Sequence, residues 1–307
     1  MWAILSSSNT QWVLISTTIL GIAAGAIGCI SYWRKQSLMS DALAHAALPG
    51  VVIAFLLTGY KNLFILIIGA AISALIGAFF IQWIQSSTRV TEDTAMGMIL
   101  SIFFGLGIML LSIINRTAGG NQSGLDSFIF GQAAAMVRSD VNTMLVLASF
   151  VILVIVIGFK EWKMYLFDPS FAQGLGLSLT WMNVLYTFVL VTTIVIGIQA
   201  VGVILIAALL IIPSVSARYW TQSFKWMLVL SALFGGIAGA VGTAISALGK
   251  GWPTGPFIVV VAASFFVISL VFGKEKGLLI NHLQYKNHQK HVNAQQLHTR
   301  IYEKGVD

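Results

Sequence analysis

Long uncharged stretches, broken by short polar clusters, dominate this chain. Apolar runs occur at 11–33, 38–59, 62–85, 94–114, 141–159, 179–198, 201–217, 226–248 and 254–272. Most approach the roughly 20 residues that a helix needs to cross the hydrocarbon of a bilayer. The run 201–217 is at the short limit and reads as a crossing, a half-helix or a re-entrant segment, so the pattern predicts eight or nine transmembrane helices. The stretch 127–137 is too short to span and predicts a short interfacial or re-entrant helix. Alternating ten-residue strand patterns are absent, which argues against a membrane barrel. The fold class expected is all-α: a polytopic helical membrane protein.

Composition agrees. Of 307 residues, 58% are hydrophobic and 9% charged, and the mean hydropathy is +0.90. A soluble domain carries about 25% charge. Residues 1–273 read as one embedded domain and 274–307 as a polar cytoplasmic tail. The first residues lack a basic segment, so the first apolar run is expected to be retained rather than cleaved as a signal.

The net charge of +7 points to topology rather than to nucleic acid. Nine crossings with the N-terminus outside put thirteen Lys and Arg in cytoplasmic segments and four (Lys61, Arg116, Arg138, Lys250) outside. Without the tail the ratio is seven to four, still in the direction of the positive-inside rule. The C-terminus is therefore expected in the cytoplasm. Seven tryptophans near predicted span ends, Trp33 and Trp83 among them, fit an interfacial belt. Gly21, Gly25 and Gly28, and Gly235, Gly239 and Gly242, form small-residue seams that suit close helix packing. The single cysteine, Cys29, lies in an apolar span, with no partner for an internal disulfide and none of the spacing of a thiolate metal site.

Two ionisable residues break the apolar pattern. Asp41 and His45 are four residues apart, so a helix puts them on one face, one turn apart. Charged and titratable groups inside a membrane are costly and mark function. No span supplies a Lys or Arg to neutralise Asp41; a bound divalent cation would. The plainer alternative is an Asp–His hydrogen bond that fixes a helix contact. Zinc takes about four ligands and manganese about six, so one helix supplies only part of a shell. Two copies meeting on a two-fold axis would supply two Asp and two His. Pro49 and Gly50 follow directly, and proline frees a carbonyl one turn back, near His45 or Ala46. This pair reads as a helix distortion near the site or as a packing kink.

The segment Ser40–Gly50 resembles the signature of the permease subunits of bacterial ATP-binding-cassette importers for manganese, zinc and iron. Four other segments are similar to that family: Thr91–Met98, leading into a helix; Phe167–Gly176, a cytoplasmic coupling segment; Ala200–Pro213, a late helix; and Trp252–Pro256, an external turn. The resemblance runs from about residue 12 to 272 and leaves the tail outside it. It implies that Asp41 and His45 are transport-path metal ligands contributed by each of two permease protomers, in a homo- or heterodimer. It also implies cytoplasmic ATP-binding subunits, an extracellular metal-binding lipoprotein, and a location in the bacterial cytoplasmic membrane. Asp168, Pro169, Ser170, Phe171, Ala172, Gln173 and Gly174 would form the short coupling helix that meets the ATPase. The residues suit that shape: Asp168 as N-cap, Pro169 in the first helical position, Gly174 or Gly176 as terminator.

The chain holds no G-x-x-x-x-G-K-[S/T] loop, so ATP would be hydrolysed on a partner subunit. No tightly bound cofactor is expected, and the metal ion is cargo. Manganese is favoured because Leu48-Pro49-Gly50 is similar to the manganese members; zinc and iron suit the same ligands. The alternatives are a proton-coupled secondary metal transporter, which the coupling segment argues against, and an intramembrane enzyme using an Asp–His pair. His282, His288, His291 and His298 in the tail suit either a solvated extension or a metal sensor.

Overall fold

A computed structural model of the protein describes residues 8–59, 63–117, 138–249 and 252–280, together with Gly131 and Met136. Most of the segment 127–137 and the four tail histidines lie outside the described residues. Among those described there are eleven helices and no strand. In chain order they are α1 Ser8–Trp33, α2 Ser37–Thr58, α3 Leu63–Ser87, α4 Glu92–Thr117, α5 Arg138–Ile157, α6 Phe159–Phe167, α7 Pro169–Gly174, α8 Leu179–Val201, α9 Val203–Arg218, α10 Phe224–Ser246 and α11 Thr254–Phe272. Eight of them are long and apolar enough to cross a membrane: α1 to α5, α8, α10 and α11.

The short run predicted at 201–217 is α9, of 16 residues, about 24 Å at ~1.5 Å per residue. Gly202 (φ +97°) separates it from α8 and turns the chain back on itself. A Cβ on Gly197 would lie 2.1 Å from the Ile206 side chain, so the two helices form a tight hairpin at Gly202. Contacts at the ends fix the direction of each helix. Asn183, in the first turns of α8, bonds Arg34 just beyond α1. Arg218 at the end of α9 lies over the Trp33 ring, 5.1 Å away. Phe224 at the start of α10 packs on Phe167, and Glu275 beyond α11 donates its N–H to the Tyr219 carbonyl. Arg138 at the start of α5 instead lies over Trp12, near the start of α1. The long helices and α9 therefore alternate in direction. The Arg34 end gathers Arg34, Lys35, Arg89, Lys160, Lys163, Arg218, Lys225, Lys274 and Lys276. That is the grouping which the positive-inside argument assigned to the cytoplasm.

Between helices in lipid there is little hydrophobic gain to be had, so close packing and hydrogen bonds hold the bundle. The glycine seams serve this purpose. A Cβ on Gly21 would lie 2.1 Å from the Gly235 carbonyl oxygen, and one on Gly25 would lie 2.2 Å from that of Ser231. Thus α1 and α10 cross backbone to backbone. The seams also reach further: Gly28 faces Leu210 of α9, and Gly242 faces Ile258 of α11. Buried hydroxyls bridge the same interface, Thr17 Oγ1 to Thr243 Oγ1 at 2.8 Å and Ser231 Oγ donating to the Gly25 carbonyl at 2.6 Å. Each hydroxyl finds an acceptor because the bilayer offers no water to replace it. Helices α1, α2 and α8 are the most enclosed, whereas α4, α5 and α11 turn much of their surface outward.

Candidate metal-binding half-site

Nearly every residue of α2 between Met39 and Phe55 is buried, including Ala42 to Ala44 and Ala46 to Val52. Asp41 and His45 interrupt this: the Asp41 side chain is 36% exposed and that of His45 12%. They lie on one stripe of the helix with exposed Leu38, as i, i+4 spacing requires. His45 Nε2 stands 3.5 Å from Asp41 Oδ1. That is long for a hydrogen bond. Two ligand atoms about 2.1 Å from a common ion, at a tetrahedral angle, sit about 3.4 Å apart. The separation is compatible with two ligands of one tetrahedral ion. Among the described residues, no group of three or more His, Cys, Asp and Glu is placed to hold an ion. The pair by itself offers two potential ligand atoms, fewer than a zinc or manganese ion takes.

The imidazole is aimed by its surroundings. Phe104 of α4 meets its ring edge to face, with centroids 4.7 Å apart and planes at 73°. His45 Nδ1 is buried with no hydrogen-bond partner among the described residues. Behind the site, Pro49 has no N–H to offer the His45 carbonyl, yet α2 runs on through it to Thr58. The next carbonyl, of Ala46, accepts a 2.7 Å bond from Ser73 Oγ of α3. Gly50 crosses Gly69 so closely that a Cβ on Gly50 would lie 2.0 Å from the Gly69 oxygen. Pro49 and Gly50 therefore sit where α2 is clamped to α3, one turn past His45. Phe104 and Ser73 carry no sequence signal, since an aromatic and a serine in apolar spans look like ordinary packing.

The second set of candidate residues lies at the Arg34 end. Asp168 closes α6 and opens α7, and its Oδ1 accepts the Phe171 N–H at 2.9 Å with Pro169 in the first turn. The helix stops through Gly176 (φ +86°). Leu177 N–H bonds the Ala172 carbonyl at 3.0 Å and Gly176 N–H that of Gln173 at 2.9 Å. This paired closure settles the choice of terminator on Gly176 rather than Gly174. Ala172 is buried, while Asp168 to Phe171, Gln173 and Gly174 are exposed. A short, capped helix held by one alanine and displaying Phe171 is a protrusion.

Beside it is a polar cluster that the sequence reading did not single out. Arg34 Nη2 donates to Asn183 Oδ1 at 2.8 Å, and Nη1 donates to the Tyr165 hydroxyl. The guanidinium lies 4.3 Å from the Tyr186 ring centre and 5.2 Å from that of Tyr165. Tyr186 is fully buried and bonded to Ser31 at 2.8 Å. Burial raises the Tyr165 phenol above its ordinary pKa against the pull of Arg34, so this hydroxyl stays protonated near neutral pH. Gln36 Nε2 donates to Glu92 Oε1 and ties the α1–α2 turn to the start of α4. Such polar residues at span ends read in sequence as ordinary loop residues.

Relatives give this arrangement its context. The chain is 42% identical to the manganese transport system membrane protein MntC of Bacillus subtilis (strain 168) over 303 residues, covering 99% of this chain and 70% of that protein. It is 39% identical to the zinc transport system membrane protein TroC of Treponema pallidum (strain Nichols), over 90% of this chain and 93% of that protein. The structure of PsaBC from Streptococcus pneumoniae in complex with Fab superposes with a TM-score of 0.79 at 33% identity, over 92% of this chain and 97% of that one. The family model described as the ABC 3 transport family matches residues 6–273. By that match and these relatives, the chain belongs to the ABC 3 transport family, as a membrane permease of the metal-transport type.

Proposed function

We propose that this chain is one of two permease protomers of an ATP-driven importer that moves a divalent transition metal ion into the cytoplasm. Asp41 and His45 of each protomer ligate the ion in transit. The observation that carries this reading is the Asp41–His45 pair, 3.5 Å apart on an open stripe of a largely buried helix. A second copy brings the other two ligands. The surface next to the pair suits such a copy: Thr94, Gly97, Ser101, Gly105 and Ser112 are all exposed along α4. A Cβ added at Gly97 or Gly105 meets nothing within 4 Å. Small residues facing outward in a membrane helix favour close approach of another helix.

Manganese is the favoured cargo, from the relative named for it and the carboxylate in the pair; zinc and iron fit the same ligand chemistry. The Arg34 end faces the cytoplasm by its basic residues, and the C-terminal tail lies on that side. ATP is hydrolysed by separate subunits that grip α7, and an extracellular lipoprotein delivers the ion. Metal-resolved uptake, in cells lacking their own importers and supplied with the cognate ATPase and lipoprotein, tests this. Asp41→Ala and His45→Ala are each expected to abolish uptake while the permease still assembles with the ATPase. Near-normal uptake in both variants would remove the proposed site. Uptake driven by a pH gradient without ATP would replace the whole reading with a proton-coupled carrier.

A further inference from the structure

Between α1 and α2 lie only Arg34, Lys35 and Gln36. This turn is closed by its own hydrogen bonds: Gln36 N–H to the Ser31 carbonyl and Lys35 N–H to that of Tyr32, both at 3.0 Å. Lys35 holds the left-handed conformation that such a closure needs (φ +61°). These bonds fasten the turn to the last turn of α1, and the Met39 N–H on the Gln36 carbonyl, at 3.1 Å, ties it to the start of α2. Asp41 lies five residues beyond Gln36, about 7.5 Å along α2 at ~1.5 Å per residue.

The other side of this turn touches the protrusion. Phe167, the last residue of α6, is one residue away from α7 and packs at a tilt against Trp33, with ring centroids 4.7 Å apart and planes at 60°. Tyr165 on the same short helix takes a hydrogen bond from Arg34. Arg34 reaches on to Asn183 at the start of α8, which follows α7 in the chain. Both flanks of α7 are therefore fastened to the same guanidinium. An open cleft of about 580 Å³, lined by Trp33, Arg34, Tyr165, Pro169, Thr180 and Asn183 among others, lies at this junction. Coupling between distant sites is carried by packed side chains, hydrogen-bond networks and rigid elements of this kind.

We propose that Arg34 is the joint that transmits displacement of α7 to the helix bearing Asp41 and His45, by holding Tyr165 and Asn183 on either side of the α1–α2 turn. Arg34 is a positioning residue, remote from the ion, and this role rests on the reading of α7 as the ATPase contact. Removing the fork leaves the ATPase docked and able to turn over, with α2 no longer driven in step.

The test is the full complex of permease, ATPase and lipoprotein in proteoliposomes, with manganese uptake and ATP hydrolysis measured together. For Arg34→Gln, the metal transported per ATP hydrolysed is expected to fall about tenfold, with ATPase binding retained. A merely structural loss lowers both rates together and leaves the ratio unchanged, and an unchanged ratio overturns the assignment. If Arg34→Gln does not assemble, the ratio is read on Tyr165→Phe, which removes only the accepting hydroxyl; a wild-type ratio there overturns it equally. Phe171→Asp separates the underlying reading. Normal ATPase binding by that variant overturns the docking role of α7, and the joint with it. Lost binding by Phe171→Asp, with an unchanged ratio in Arg34→Gln, overturns the joint alone.

Discussion

Gly50 and Gly69 meet backbone to backbone, each occupying the space that the other's side chain would need. A Cβ on Gly50 would lie 2.0 Å from the Gly69 oxygen, and a Cβ on Gly69 would lie 2.5 Å from the Gly50 oxygen. This crossing fixes α2 against α3 just past His45. Gly50→Val is expected to destabilise the permease by about 1–3 kcal/mol, the usual range for overpacking. Gly97→Ala, with open space around it, should leave the stability of the single protomer unchanged. Thermal unfolding of the two variants in detergent checks the contrast.

Ser73 supplies the Ala46 carbonyl with a donor in the same region. Ser73→Ala removes one buried hydrogen bond, about 1 kcal/mol. Because Ala46 adjoins His45, metal uptake is expected to weaken although no ligand is removed. Uptake measured over a range of ion concentrations shows this as a raised half-saturation value, where Asp41→Ala abolishes uptake outright.

Asp168 caps α7 through the Phe171 N–H. Asp168→Ala should cost about 1 kcal/mol, all of it local to this exposed six-residue helix. The bundle should melt as before while ATPase affinity falls. Asp168→Ser, which keeps a capping oxygen, should restore most of the binding. Co-purification of the ATPase with each variant measures it.

Lys35 pays for the left-handed turn that ends α1. A non-glycine residue there costs roughly 1–2 kcal/mol. Lys35→Gly is expected to keep transport and raise stability slightly, while Lys35→Val, branched at Cβ, should lower it. Opposite shifts in unfolding temperature are the expected result.

Much of the outcome was legible in the chain. Apolar run lengths gave the helices, because a membrane demands about 20 uncharged residues per crossing. Asp168 and Pro169, with Gly174 or Gly176 as terminator, marked a capped helix through local backbone chemistry alone, and the structure chose Gly176. The i, i+4 spacing put Asp41 and His45 on one face before any coordinates, since helical geometry is local. The glycine seams were readable as packing surfaces, though not their partners: Gly21 and Gly25 face α10, while Gly28 faces α9.

Other features were settled by tertiary structure alone. The reversal at Gly202 that lets the short α9 lie antiparallel to α8 depends on where Ile206 and Gly197 meet. The open stripe at Asp41 exists because α3, α4, α9 and α8 cover most of the rest of α2. The Ser73 clamp, the edge of Phe104 on His45 and the Arg34 fork each join residues far apart in sequence. Sequence alone determined which residues are costly in a membrane and how they are spaced along a helix, because those are properties of the local chain. Which of them face one another was decided by packing, because that depends on how distant helices cross.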